Sequence, residues 1–224
     1  MSQKPFFVAL EGIDGSGKDT VALRLRDHFV QKHSLDVAVT EEPSHGPIGI
    51  LIRKMLDGEV PVPPTNFVFQ ALFIEDRGFH IRSFIEPKIK LNRLVISVRY
   101  WLSTIAYGML DGSAVEYLDL HTRIIGPELI VPDLTIVLDL EEDEAIRRIR
   151  ESGRHFDWFA KKEKLKKIRQ NYLELAKSRM VALGTIVVVD AMKSKEEVAL
   201  SAEAAIERWY LIKFLSIGGG GANA

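Results

Sequence analysis

The chain contains no cysteine, which excludes disulfide bonds and thiolate metal sites and is typical of a reducing compartment. It also has no excess of charge, because 30 Lys and Arg residues are balanced by 31 Asp and Glu residues. The resulting formal net charge of −1 gives no support to general nucleic-acid binding, so we expect no nucleic-acid partner.

Long apolar runs are absent as well, and none approaches the roughly 20 residues that a membrane span needs. Only five residues precede the first apolar segment, so we expect no secretory signal peptide. The 224 residues are 46% hydrophobic and 27% charged, a composition typical of one globular domain. We therefore expect a cytoplasmic protein without a membrane partner.

Short apolar segments rich in β-branched residues recur along the chain, with helical patterns between them. The segments are residues 6–10, 37–40, 94–98, 135–140 and 185–190. Their nearly continuous apolar character is typical of parallel strands that are buried on both faces. The pattern predicts a three-layer α/β fold in which a five-stranded parallel sheet is flanked by helices on both faces.

The helical patterns carry their own signals. Leu165, Ile168 and Tyr172 keep the spacing of one apolar helix face, and Ser194 with Glu197 forms a capping-box arrangement before the last helix. Residues 1–215 are expected to form a single domain. Residues 216–224 contain four consecutive glycines and are expected to form a flexible tail.

A glycine-rich loop that ends in Gly-Lys, residues 12–18, lies between the first apolar segment and a helical pattern. A strand, such a loop and a helix in this order form the context in which the phosphate-loop motif binds phosphate. Glycines let backbone N–H groups converge on phosphate oxygens, and the helix N-terminus adds a positive dipole end. Lys18 adds a full charge, so the chain is predicted to bind a nucleoside triphosphate.

Polar and aromatic residues also follow the later strands. They are Glu42-Pro43, Phe73 with Asp76-Arg77, and Arg99-Tyr100 followed by Ser103 and Tyr107. No Asn-Lys-x-Asp motif for reading guanine is present, which argues against a GTPase. Because ligands bind at the carboxyl ends of parallel strands, these residues are candidates for a second, acceptor site.

In these motifs the sequence resembles the thymidylate kinase family over nearly its whole length. Residues 10–18 resemble its phosphate loop, residues 40–43 its Thr-Arg-Glu-Pro segment, and residues 72–77 its thymine-binding helix. Residues 99–107 are similar to its Asp-Arg-Tyr signature. The resemblance implies a phosphate-loop kinase fold and an enzyme that uses ATP and Mg²⁺ to convert dTMP into dTDP. It also implies a homodimer, for which the apolar stretch 101–110 either supplies the surface or is buried within the monomer.

The same resemblance assigns roles to single residues. The implied catalytic residues are Lys18 at the triphosphate, Arg99 at the acceptor phosphate, Asp14 near that phosphate and Mg²⁺, and Arg154 in a mobile lid at about residues 150–160. The implied ATP-binding residues are Gly12, Asp14, Gly15, Ser16, Gly17, Lys18, Asp19, Thr20 and, stacked on adenine, Arg148. The implied dTMP-binding residues are Glu42, Pro43, Arg53, Phe73, Arg77, Arg99, Ser103, Thr104 and Tyr107. Within this set Phe73 stacks on thymine, Arg77 hydrogen-bonds it, and Tyr107 packs against the deoxyribose. The implied metal ligands are Asp14 and Asp19.

Four positions depart from the family pattern. Asp19 replaces the Mg²⁺-binding Ser or Thr, Val98 the signature aspartate, Glu41 an arginine and Gly108 a glutamine. We hypothesise that Asp19 compensates for Val98 by relocating a metal-binding carboxylate. Two alternatives stay open: a kinase for another or broader set of nucleoside monophosphates, and a catalytically impaired nucleotide-binding relative.

Overall fold

The computed structural model describes residues 5–91, 93–153, 161–178 and 180–218, with side chains up to residue 210. Five strands form one parallel sheet in the order β2-β3-β1-β4-β5. They are β1 (Phe6–Glu11), β2 (Val37–Glu41), β3 (Leu94–Val98), β4 (Leu134–Asp139) and β5 (Ile186–Asp190). Each predicted strand is confirmed to within about a residue at its ends.

Helices connect the strands in the described part of the chain. They are α1 (Lys18–His33), α2 (Pro47–Leu56), α3 (Asn66–His80), α4 (Glu86–Lys90), α5 (Trp101–Gly108), α6 (Ala114–Ile124), α7 (Glu142–Glu151), α8 (Lys162–Lys177) and α9 (Lys195–Gly218). A π-helical turn, Ile81–Ile85, joins α3 to α4. The predicted capping box of α9 is present, since Ser194 Oγ accepts from the Glu197 N–H and the Glu197 carboxylate accepts from the Ser194 N–H. Helix α9 includes residues 216–218 of the expected tail, and residues 219–224 lie outside the described residues.

Helices pack on both faces of the sheet and make it a three-layer α/β fold. Helices α1 and α9 contact each other and lie on one face, while α4 and α8 contact the sheet on the other. Strands β1 and β3 are buried along their whole length, as the continuous apolar segments require. The predicted fold class is therefore confirmed. No helix within the described ranges is long and apolar enough to cross a bilayer.

The order of the strands places the ligand-binding crevice at the carboxyl end of β1. The chain crosses from β1 to β2 and β3 on one side of the sheet, and then to β4 and β5 on the other. Such a reversal separates the loops that follow the central strands and opens a crevice between them. The phosphate loop follows β1 directly, and the residue pair Leu10 and Val98 shows that β1 and β3 end side by side. Residues that follow both strands therefore meet in one place.

Helix α5 is almost entirely buried, because it is enclosed by α3, α6 and α8. Trp101, Leu102 and Ile105 are each no more than 2% exposed. The suggestion that the stretch 101–110 supplies a dimer surface is therefore wrong, and burial within the monomer is the correct alternative. Periodicity could not decide this, since a uniformly apolar helix is equally compatible with a core and an interface.

Gly108, where the family has a glutamine, is required by the packing of α5 against α6. A Cβ built on Gly108 would lie 2.4 Å from the ring of Tyr117, which is buried and donates its hydroxyl hydrogen to Asp111. We predict that Gly108→Ala lowers the free energy of unfolding by about 1–3 kcal/mol. Gly78→Ala in α3 is the matched control, because its Cβ would lie 3.5 Å or more from its neighbours. Gly78→Ala should raise the free energy of unfolding by up to about 1 kcal/mol, because alanine has a higher helix propensity than glycine.

Urea denaturation of the two glycine variants measures both effects. If Gly108→Ala were as stable as Gly78→Ala, the ring of Tyr117 would not occupy the space that a side chain at residue 108 needs.

Candidate active site

The phosphate loop is held tightly between β4 and α7, which explains two of its glycines. Gly12 has a φ of 135°, and a Cβ there would lie 2.6 Å from the Leu138 carbonyl oxygen. Gly15 has a φ of 79°, and a Cβ there would lie 2.8 Å from the Ala145 carbonyl oxygen. A side chain at Gly15 would therefore collide with α7. An arginine at that position is sterically excluded, in agreement with the absence of one from the loop.

Lys18 closes the loop from the inside. Its ammonium donates to the Gly12 carbonyl at 3.0 Å, to the Ile13 carbonyl at 2.8 Å and to Ser16 Oγ at 3.3 Å. Burial and the nearby Arg99 guanidinium lower the pKa of Lys18 to about 7. A bound triphosphate would raise the pKa of Lys18 again, because its negative charge stabilises the desolvated ammonium. Nucleotide binding and protonation of Lys18 are therefore coupled.

We predict that ATP binding takes up close to one proton at pH 8, where the free protein holds Lys18 mostly neutral. The affinity for ATP then falls as the pH rises above about 7, since the proton becomes harder to supply. Calorimetry in buffers of different ionisation enthalpy measures the uptake directly. Lys18→Met, which cannot titrate, should bind weakly and without this dependence. A wild-type binding enthalpy that is independent of the buffer would contradict the coupling.

Glu11, the last residue of β1, fixes the start of α5. Its carboxylate accepts from the Tyr100 and Ser103 N–H groups at 3.0 and 3.2 Å and from the Tyr172 hydroxyl at 3.1 Å. Burial raises the pKa of Glu11, while the hydrogen bond from Ser103 and the charge of Arg99 oppose that shift. The carboxylate thus replaces the missing side-chain cap of α5 and holds the segment that carries Arg99.

Arg99 extends from the end of β3 across the mouth of the phosphate loop. One of its terminal nitrogens donates to Asp14, and the other lies 3.4 Å from both the Gly12 carbonyl and Ser103 Oγ. The guanidinium carbon lies 5.5 Å from the centre of the Tyr107 ring. Its backbone has a φ of 65°, a conformation that residues other than glycine adopt rarely. Arg99 therefore links the phosphate loop to α5.

Arg77 lies in a fully buried network beneath this mouth. Its guanidinium donates to Glu42 Oε2 through two nitrogens, at 2.6 and 3.0 Å, and to Thr104 Oγ1 at 3.1 Å. A fourth bond runs from Nη1 to His121 Nε2 at 2.7 Å. A guanidinium carries five N–H groups, so the four bonds to described residues leave one for a ligand in the cavity that Arg77 lines.

His121 is the neutral acceptor in this network. Its Nδ1 lies 2.6 Å from the Tyr117 carbonyl oxygen and so must carry the hydrogen, which leaves Nε2 to accept from Arg77. Burial, and secondly the charge of Arg77, lower the pKa of His121 to about 3. No sequence signal indicates this role of His121, because the residue lies on α6, outside every motif.

Two residues of α3 hold the loop after β2: Asp76, which the sequence indicated as a candidate for the acceptor site, and His80, which it did not indicate. Asp76 accepts from the backbone N–H and the hydroxyl of Ser44, both at 2.6 Å. His80 lies between Glu42 Oε1, at 3.2 Å, and Thr40 Oγ1, at 2.6 Å. The helical spacing of residues 73, 76, 77 and 80 places them on one side of α3, which is the one signal that could have indicated His80.

The structure brings the predicted acceptor residues together around one cavity. The residues that line it are Asp14, Glu42, Pro43, Leu56, Gln70, Phe73, Arg77, Arg99, Tyr100, Ser103, Thr104 and Tyr107. The remaining predicted acceptor residue, Arg53, lies beside this lining rather than in it. It donates to the Pro43 carbonyl and to Glu41 Oε1, the latter at 2.9 Å. Glu41 thus forms an ion pair with Arg53.

A larger cavity, of about 510 Å³, lies on the other side of the loop after β2. Asp19, Glu41 and Val98, three of the four departures from the family pattern, all line it. The predicted metal ligands are therefore divided, since Asp14 lines the acceptor cavity and Asp19 lines this one. Asp19 and Val98 do share one environment, as the compensation hypothesis requires.

The remaining predicted residues surround the loop or lie outside the described residues. Gly17 and Thr20 are exposed at the start of α1, while Ser16 is buried. Arg148 on α7 donates to Glu144 and to the Ala191 carbonyl, at 2.7 and 3.1 Å, and so lies next to the segment after β5. Arg154 and most of the expected lid lie outside the described residues.

A parallel sheet with a phosphate loop at its switch point and an adjoining cavity lined by arginines and aromatic rings defines a nucleotide kinase. The chain belongs to the thymidylate kinase family, whose model, described as thymidylate kinase, matches residues 10–201. It is therefore a nucleoside monophosphate kinase, and membership of this family identifies the reaction as phosphorylation of dTMP by ATP.

Relatives from archaea agree with this assignment. A probable thymidylate kinase of Pyrobaculum calidifontis is 39% identical over 203 residues, which cover 90% of this chain and 96% of the relative. One from Pyrococcus abyssi is 36% identical over 196 residues, which cover 86% and 91%. One from Archaeoglobus fulgidus is 34% identical over 206 residues, which cover 92% and 97%.

Proposed function

We propose that this protein transfers the γ-phosphoryl group of ATP to dTMP with the residues of the acceptor cavity and the phosphate loop. One observation carries the proposal: Phe73, Arg77, Arg99 and Tyr107 line a single cavity that also contains Asp14 of the phosphate loop. An acceptor bound there lies next to the donor phosphates, which is the positioning that phosphoryl transfer requires.

The cavity has side chains suited to the base, the sugar and the phosphate of the acceptor nucleotide. Phe73 supplies a ring for the base, and the remaining N–H of Arg77 can donate to a carbonyl of thymine. Tyr107 packs where the sugar lies, so a 2′-hydroxyl would lose its hydration against the ring. Arg99 binds the phosphate at the mouth of the cavity, beside Asp14.

The transfer step needs charge neutralisation more than acid–base chemistry. An oxygen of the dTMP phosphate attacks the γ-phosphorus of ATP, and the bond from that phosphorus to the bridging β,γ-oxygen breaks, which gives dTDP and ADP. Lys18 and Arg99 offset the negative charge on the transferring group. Arg154 is proposed to add charge from the lid, because Gly15 leaves no room for an arginine in the loop.

The larger cavity has donors that suit Mg²⁺. Asp19, Glu41 and Thr40, which carry carboxylate and hydroxyl oxygens, line it, and hard oxygen ligands are those that Mg²⁺ prefers. We propose that Asp19 holds the ion together with donor phosphates, and that Asp14 acts chiefly by orienting Arg99. When bound, Mg²⁺ neutralises charge between the β- and γ-phosphates.

Under this proposal, Asp19→Thr should restore the usual loop residue and still lower kcat by about 100-fold or more, because Val98 supplies no oxygen. Asp27→Thr is the matched control on the same helix, since Asp27 is exposed and paired with Arg26, and it should keep wild-type kcat. The measurement is kcat over a Mg²⁺ titration. Activity of Asp19→Thr at or above wild type would show that Asp19 does not carry the metal.

For the expected homodimer we propose a surface other than the stretch 101–110. Val68 and Phe79 on α3 and Ile50 on α2 are exposed apolar residues, and α2 and α3 contact each other. We propose that this face packs against a second copy of the chain. Val68→Asp should give a monomer by sedimentation velocity, whereas Leu200→Asp, an equally exposed change on α9, should not. If the wild-type protein sedimented as a monomer, the proposal of a homodimer would be wrong.

The experiment that tests the function is ADP release with dTMP, dUMP, UMP, CMP or no acceptor. The proposal predicts the highest kcat/KM for dTMP and a loss for the ribonucleotides, because Tyr107 occupies the sugar side. A flat profile would favour the broader kinase. Binding of dTMP without ADP release would favour the catalytically impaired relative.

A further inference from the structure

A cluster of histidines and carboxylates joins the end of α1 to the middle of α9, away from both cavities. His28 Nε2 and His33 Nε2 each lie 3.0 Å from Glu207 Oε1. Lys32 Nζ also lies 3.0 Å from that oxygen. The nucleotide reaction described above uses none of these side chains.

The spacing of these atoms matches a metal-binding site. His28, His33 and Glu207 each offer one ligand atom, and these atoms lie within 4.8 Å of one another. A tetrahedral ion with bonds of about 2.0–2.2 Å separates its ligand atoms by about 3.3 Å. The nitrogen-to-oxygen distances of 3.0 Å need only a slight expansion to admit the ion.

A carboxylate already supports one of the histidines from behind. Glu203 Oε2 lies 3.2 Å from His28 Nδ1, and both side chains are mostly buried, at 14% and 19% exposure. Histidines that bind metals usually donate their second ring N–H to a carboxylate, which fixes the tautomer and the ring orientation. Here that bond keeps a hydrogen on Nδ1, so His28 Nε2, which faces Glu207, becomes the ligand atom when an ion displaces its proton.

We propose that His28, His33 and Glu207 bind a divalent transition-metal ion, best matched by Zn²⁺, with Glu203 as the carboxylate that orients His28. Two imidazoles and one carboxylate suit Zn²⁺, whereas Mg²⁺ prefers oxygen ligands alone. The fourth position is left for water. Lys32 has to withdraw, and its side chain, 59% exposed, can extend into solvent.

The ion would tie two helices of one face together. Helix α1 begins at Lys18 in the phosphate loop, and α9 is the last described element of the chain. An ion that binds only the folded arrangement stabilises it by mass action. Zn²⁺ should therefore raise the melting temperature of the wild-type protein.

The test uses the full chain without an affinity tag, freed of metal by a chelator and held in excess Mg²⁺ to occupy oxygen-only sites. Zn²⁺ is titrated by calorimetry, and Co²⁺ is used as a spectroscopic probe. Wild type should bind one Zn²⁺ per chain and give the intense visible bands of tetrahedral Co²⁺. His33→Gln and Glu207→Gln should lower the affinity at least 10-fold, and Glu203→Gln about 10- to 100-fold.

His45→Gln is the matched control, because its side chain is 82% exposed, lies beside Glu41 after β2 and does not belong to the His28, His33 and Glu207 cluster. It should bind Zn²⁺ as wild type does. Melting temperatures measured without metal confirm that each variant is folded. Addition of Zn²⁺ should raise the melting temperature of wild type and His45→Gln only. Absence of saturable binding, or equal binding by His33→Gln and wild type, would overturn the proposal.

Discussion

Arg99→Met is expected to lower kcat/KM for dTMP by about three orders of magnitude while the protein remains folded. Arg99 is the side chain that contacts both Asp14 of the phosphate loop and Ser103 of α5 at the mouth of the acceptor cavity. Without it, the acceptor phosphate loses a bidentate donor where negative charge develops. Arg99→Lys keeps the charge but loses the planar fork, so it should recover part of the rate.

Steady-state kinetics with dTMP and ATP varied separately measure this effect. Arg82→Met is the control, because Arg82 is exposed and paired with Glu128 on the surface. This variant should leave kcat and both KM values unchanged. A loss of less than about 10-fold in Arg99→Met, or a loss confined to the KM for ATP, would show that Arg99 only connects structural elements.

Arg77→Met is expected to have the second largest effect, and it acts on both stability and dTMP binding. The substitution removes the guanidinium that pairs with the buried Glu42 carboxylate, although His80 stays beside it, and should lower the free energy of unfolding by about 3–5 kcal/mol. It also removes the N–H proposed to contact thymine, a hydrogen bond from a charged group that contributes about 1.5–3 kcal/mol. The Kd for dTMP should therefore rise by about 10- to 150-fold, with ATP binding unchanged.

The double variant Arg77→Met, Glu42→Gln separates the two effects. Neutral Gln at residue 42 removes the buried charge, so part of the lost stability should return. The affinity for dTMP should not return, because the donor is still absent. If the double variant bound dTMP as tightly as wild type, Arg77 would have a structural role only. Urea denaturation and calorimetric dTMP titration provide the two readouts.

Much of the fold could be predicted because its local signals agree with one another. The apolar segments are strands since they are buried on both faces, and the capping box of Ser194 and Glu197 begins α9 as its spacing indicates. The glycines of the phosphate loop have positive φ values that other residues adopt rarely. These features depend on neighbours in sequence, and sequence patterns report such neighbours directly.

The residues that support the site could not be predicted, because their partners are distant in sequence. Glu11 holds residues 100 and 103, and His121 receives a hydrogen bond from Arg77, 44 positions earlier. The burial of α5 depends on helices that surround it only in the fold. The separation of Asp14 from Asp19 into two cavities likewise depends on the turn of the loop. The roles of Asp14 and Asp19 in the reaction remain predictions.

We expect this fold to transfer phosphate to dTMP despite Asp19 and Val98. The most direct test mixes the enzyme with dTMP, Mg²⁺ and ATP labelled in the γ-phosphoryl group, and separates the products after a single turnover. We expect the label to appear in dTDP, and the transfer to be lost in Arg99→Met. Label found only in inorganic phosphate, or retained in ATP while dTMP is bound, would contradict it.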